Sequence, residues 1–173
     1  MNAPLPWSYR TAEVPESGLR ERREATVQER AAVAAELGLL TIDSLAAEFA
    51  IRALGKGRYR MKGTLTAQLT QACVVTLEPV AQRVEDSFDV EFWPAGTLPQ
   101  DAEDEVEALT SAEIEPIEHG HIDAGRIVFE TLSAGIDPYP RAPGAEFSEP
   151  AVPAPDPAAA SPFAALKKLK DRQ

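Results

Sequence analysis

The chain has one cysteine, Cys73, and the residue three places beyond it is Thr76. A Cys-x-x-Cys pair would hold zinc or cycle as a disulfide. With threonine in the second place, redox pairing inside the motif is impossible. A zinc site would need Cys73 together with His119, His121 and a carboxylate, and no fourth ligand stands at a recognisable spacing. These residue types favour a small buried thiol near a strand end, with Glu78-Pro79 supplying turn chemistry, and they call for no metal and no cofactor.

A second set is cationic. Lys56, Arg58, Arg60 and Lys62 stand two apart, so one extended strand would carry all four on one face about 7 Å apart, with Arg52 joining them across a turn. No acid falls between residues 49 and 77. Such a row can follow a phosphate backbone; the plainer reading is a solvated strand face that resists edge pairing. Tyr59 belongs to the opposite face and offers a base no stacking platform there. A third set, Phe163, Leu166 and Leu169 with Lys167, Lys168 and Lys170, has the pattern of a short amphipathic helix. It is suited to docking in a partner's groove, and its apolar face is too short for membrane adsorption. Glycine-rich phosphate loops, a GxSxG elbow and HExxH are all missing, so the chain reads as a non-enzyme. A two-metal carboxylate nuclease is the enzymatic alternative.

The elements that must position these residues follow from capping and periodicity. Residues 1–25 read as an irregular, partly extended lead. Thr26-Val27-Gln28-Glu29 is a capping box, and it opens a helix that Gly38 closes. Leu45, Ala47, Phe49, Ile51 and Ala53 alternate as a strand, and Gly55-Lys56-Gly57 marks a tight turn. A second strand runs from Arg58 to about Val75 with Leu65, Ala67, Leu69 and Cys73 on its apolar face; Gly63 interrupts it and is read as a bulge. A third strand over 83–92 points Val84, Phe88, Val90 and Phe92 inward and Arg83, Glu85, Asp89 and Glu91 outward. Asp123 caps a second helix that Gly135 ends. The expected fold is α+β: an antiparallel sheet of three or more strands, two main helices on one face, a long acidic loop over 94–120 and a mobile C-terminal tail. The folded domain is expected over 26–141, followed by a Pro/Ala-rich linker over 142–162 and a short basic helix over 163–173.

With 173 residues, 44% of them apolar, the chain can bury one ordinary core. The net charge of −11 is unevenly spread. Residues 1–70 hold ten Lys/Arg against eight Asp/Glu, residues 71–162 three against nineteen, and residues 163–173 four against one. Broad electrostatic attraction of nucleic acid to the acidic half is therefore disfavoured, and basic proteins are its natural partners. A lone cysteine, no secretory leader and no apolar run of spanning length fit a cytoplasmic setting without membrane contact.

The stretch Gln71-Ala72-Cys73-Val74-Val75-Thr76-Leu77-Glu78-Pro79-Val80 resembles the central signature of the YceD-like family, the large ribosomal RNA subunit accumulation proteins. Many relatives carry Cys-x-x-Cys-Leu-x-Pro there. This chain keeps Cys73, Leu77 and Pro79 and has Thr76 in place of the second cysteine, which resembles the alphaproteobacterial form. The Thr26-x-x-Glu29-Arg30 helix start, Ile122-Asp123-x-Gly125 running to Asp137-Pro138-Tyr139-Pro140, and the terminal Pro162–Lys170 segment agree in order and spacing. The resemblance implies a ribosome-biogenesis accessory role in the synthesis, processing or stability of large-subunit ribosomal RNA. Its partners would be that RNA or its precursor, or a basic ribosomal protein, with no small-molecule substrate and no catalytic residue. The alternatives are a protein-only adaptor or regulator binding a basic ribosomal protein, and a metal-dependent RNA-processing enzyme.

Overall fold

The computed structural model describes residues 4–97 and 113–147. Strands β1 (Ser8–Arg10), β2 (Leu19–Glu24), β3 (Thr41–Gly55), β4 (Arg58–Ala72), β5 (Pro79–Pro94), β6 (Glu113–Ile117) and β7 (His121–Asp123) combine with helices α1 (Val27–Leu37) and α2 (Ala124–Gly135). Five strands form one sheet in the order β2-β3-β4-β5-β6, and β1 pairs with β7 in a separate ribbon. All pairings are antiparallel except β5 with β6, which is parallel. The α+β class therefore holds, and the sheet expected to be antiparallel with three or more strands has five, one of them added in parallel. The linker beyond residue 147, the terminal helix and residues 98–112 of the acidic loop lie outside the described residues.

Local chemistry accounts for the helices. Thr26 Oγ1 accepts the Glu29 amide at 3.2 Å and Glu29 Oε2 accepts the Thr26 amide at 2.7 Å, closing both halves of the capping box. Glu29 Oε1 also accepts the indole N–H of buried Trp7 at 3.0 Å, so the cap anchors the N-terminal segment as well. Burial works against ionising Glu29, but the Thr26 and Trp7 hydrogen bonds outweigh it and hold the carboxyl below its usual range. Gly38, at φ 66°, supplies the left-handed C-cap. Asp123 Oδ1 accepts the Arg126 amide at 3.0 Å to open α2.

One face of the sheet builds the core. Leu45, Ala47, Phe49 and Ile51 of β3, Met61, Leu65, Ala67 and Leu69 of β4, and Val84, Phe88, Val90 and Phe92 of β5 are buried in one cluster with Val33 of α1 and Ile127, Val128 and Leu132 of α2. Both helices thus cover the same face, and the opposite face meets solvent.

Three expectations need correction. The first 25 residues are not an irregular lead: they hold β1 and β2, and Leu5 and Trp7 lie in the core. Residues 113–117, expected within the acidic loop, are not loop, since they form β6. Gly63 seats no bulge. It pairs in register with both Phe49 and Phe88, and a Cβ there would lie 2.5 Å from the Glu48 carbonyl oxygen and 2.6 Å from Phe49 Cβ and from Phe88 Cζ. Glycine is needed because two aromatic rings, 6.5 Å apart, close over the strand. The register shifts of this sheet lie elsewhere, between Ile42 and Ser44 and between Ala53 and Gly55.

Candidate functional site

The solvent face of the sheet carries the cations. The β3–β4 connection needs two residues with positive φ, which Lys56 (54°) and Gly57 (73°) provide, as in a type I′ hairpin. Lys56 is therefore a turn residue and not the first rung of the strand. Arg58, Arg60 and Lys62 do share one face of β4, with buried Met61 on the other. Arg52 sits directly opposite Arg60 in the β3–β4 register. Arg20 of β2 pairs with Ala50, which in turn faces Lys62, so Arg20 extends the same surface outward. Because β4 lies between β3 and β5, protection of a free sheet edge does not explain its charges.

The neighbouring strand divides these cations into two kinds. Asp89 of β5 takes Arg60 through both carboxylate oxygens, at 2.7 and 2.8 Å, and Lys62 Nζ at 2.6 Å. The Arg60 hydrogen bond is the main reason the Asp89 carboxyl is held below the usual range, with burial opposing it and Lys62 assisting. Glu91, only 6% exposed, stands 3.9 Å from Arg60 and accepts the Trp93 indole N–H at 3.1 Å. The Arg58 guanidinium lies over the Trp93 ring, 5.0 Å from its centroid. Among the described residues, Arg20, Arg52 and Lys56 form no ion pair. Ala50, Arg52, Leu54, Arg60 and Lys62 line a depression on this face.

Asp89, Glu91, Trp93 and Arg20 were not singled out as site residues from the sequence. The register that brings them in follows from the six-residue turn between Ala72 and Pro79, which face one another. Counting back along both strands from that pair sets Arg58 beside Trp93 and Arg60 opposite Glu91. Tyr59 lies on the other face, where its hydroxyl donates to the Thr11 carbonyl at 3.2 Å and pins the N-terminal segment.

The cysteine turn is a separate feature. Cys73 is fully buried just past the end of β4. Its sulfur accepts the amides of Ala142 (3.3 Å), Val75 (3.4 Å) and Thr76 (3.4 Å). The Ala142 amide foremost, then the Thr76 hydroxyl and amide, outweigh desolvation and bring the thiol down to about 6. Thr76 Oγ1 donates to Glu78 Oε2 at 3.2 Å, while Leu77, at φ 63°, stays exposed and lets the turn close with Cys73 N–H donating to the Glu78 carbonyl at 2.8 Å. The Val74 amide donates to the Pro140 carbonyl and the Gln71 amide group to the Asp137 carbonyl, both at 2.9 Å. Cys73, Val74 and Gln71 thus clasp the segment after α2 against the end of the sheet, while Thr76, Leu77 and Glu78, with Pro79 opening β5, close the turn that carries the thiol. His119 and His121 flank the β6–β7 turn, where His121 Nδ1 lies 3.1 Å from Ser8 Oγ. Among the described residues no group of three or more His, Cys, Asp or Glu is arranged to hold a metal ion. No helix among them is long and apolar enough to cross a membrane. Phe163, Leu166, Leu169 and Lys170 lie outside the described residues.

The family model described as "Large ribosomal RNA subunit accumulation protein YceD" matches residues 61–170. The matched span takes in β4 from Met61 onward, the cysteine turn, β5 and α2; the Thr26 helix start precedes it. No curated protein and no solved structure matches the chain.

Proposed function

The chain belongs to the YceD family of large ribosomal RNA subunit accumulation proteins, and on that premise we propose that it is a non-enzymatic accessory of ribosome biogenesis that contacts large-subunit ribosomal RNA, or its precursor, through the solvent face of its sheet. The carrying observation is that Arg20 and Arg52 on the face that builds no core, and Lys56 in the adjoining turn, form no ion pair among the described residues. Cations already matched to a carboxylate have little left to offer a phosphate, whereas unmatched ones release counterions on binding. The cysteine clasp supports the fold: all three of its sulfur contacts are backbone amides of this same chain.

Replacing Arg20 and Arg52 with glutamate tests this reading better than reversing Arg58 and Arg60. The latter two are engaged by Trp93 and Asp89, so their loss would damage the sheet as well as the surface. The charge-reversed chain should lose RNA recovered by in-cell crosslinking while its circular dichroism stays unchanged.

A further inference from the structure

We propose that the RNA taken by this face is single-stranded, with one unpaired base stacking on the Arg58–Trp93 pair. This deepens the RNA-contact reading and rests on it.

Three observations point this way. First, the electrostatics of the face are interrupted. Asp89 and Glu91 on β5 border the cation surface along β4, and Arg60 and Lys62 are already tied to Asp89. In a chain of net charge −11, the four cations here without a carboxylate partner among the described residues, Arg20, Arg52, Lys56 and Arg58, make a poor track for the continuous phosphate rows of a duplex. A non-electrostatic contribution is needed, and base stacking supplies one. Second, the indole is preorganised. Its N–H is fixed by nearly buried Glu91 at 3.1 Å, so the ring does not have to be immobilised at the moment of binding. Third, the Arg58 guanidinium lies over that ring, 5.0 Å from its centroid, and forms no ion pair among the described residues. A guanidinium on an indole extends a cationic stack to which a base can add its face. Lys56, in the adjoining turn, and Arg52, across the depression, then meet the flanking phosphates. Duplex RNA keeps its base faces inside the helix and can use none of this.

The test uses the full chain with a fluorescein-labelled 12-nucleotide RNA of mixed sequence and with the blunt duplex of the same sequence, read by anisotropy and by intrinsic tryptophan emission. Trp7 is buried in the core, so quenching reports Trp93. The expected result is tighter binding of the single strand, quenched emission that Trp93→Phe abolishes, and a loss of about 5- to 100-fold in single-strand affinity for Trp93→Ala, with Trp93→Phe retaining most of it. Arg58→Lys, which keeps the charge and loses the plane, should weaken the single strand alone. RNA binding that favours the duplex, or that Trp93→Ala leaves unchanged in a folded variant, overturns the stacking proposal and leaves the RNA-contact reading standing. No binding of either form at low salt overturns both.

Discussion

Arg52 and Arg60 face one another directly across β3 and β4, two guanidinium groups on neighbouring strands of one solvent face. Like charges in this relation destabilise a sheet. The arrangement persists because Asp89, one strand further on, holds Arg60 through two hydrogen bonds and balances its charge. Arg52 is thereby left free, and the surface owes its unmatched cation to a carboxylate on β5.

Asp89→Asn should therefore lower the urea midpoint, and adding Arg52→Ala should recover part of the loss by removing the facing charge. Salt at about 1 M, where screening acts within about 3 Å, should narrow the gap. The pH dependence has a definite sign. The Asp89 carboxyl is depressed in the folded state, chiefly by its hydrogen bond from Arg60, so its contribution is complete above the unfolded value of about 3.9 and fades as pH falls through the lower folded value. A wild-type advantage over Asp89→Asn that persists undiminished at pH 2 would contradict this account.

Gly63→Ala should destabilise the fold by about 1–3 kcal/mol, the cost typical of overpacking, because its methyl group meets the Glu48 carbonyl and the Phe49 Cβ as well as the Phe88 ring. Adding Phe88→Leu relieves only the ring contact and should restore only part of the loss. An unchanged denaturation curve for Gly63→Ala would show that the aromatic pair does not close over the strand.

The Cys73 clasp should make stability rise through the neutral range. The folded thiol titrates near 6 and an unfolded one near 8.5, so the folded state gains from the thiolate as pH climbs between those values and loses that gain as pH falls through 6. The difference in urea midpoint between wild type and Cys73→Ala should accordingly widen from pH 6 to pH 8.5. A constant difference across that interval would mean that the three amides do not hold a thiolate.

What was legible in the sequence was what depends on near neighbours. Thr26 and Glu29 are three apart, so their mutual capping needs no knowledge of the fold. The parity of β4 separates Arg58, Arg60 and Lys62 from Met61 and Leu65 without reference to a partner strand. Gly63 was misread because a glycine inside a strand looks the same for a bulge as for a close approach, and only the cross-strand Phe49 and Phe88 decide between them. The N-terminal strand stayed hidden because Ser8–Arg10 carries no alternation of its own; its partner, His121–Asp123, lies more than a hundred residues away. The acid-rich Glu113–Ile117 segment read as solvated, yet a parallel place beside β5 orders it. The platform at Trp93 depends on pairing Arg58 with a residue 35 positions on, and this becomes visible only once the turn at Cys73–Glu78 fixes the register.

The most direct test of the central claim is ultraviolet crosslinking in cells followed by sequencing of the recovered RNA, comparing wild type with the Arg20→Glu, Arg52→Glu chain at matched abundance. Large-subunit ribosomal RNA or its precursor should be enriched with the wild type, and reduced at least tenfold with the variant. Equal recovery from both, or no large-subunit RNA with the wild type, would contradict the assignment of this sheet face to RNA.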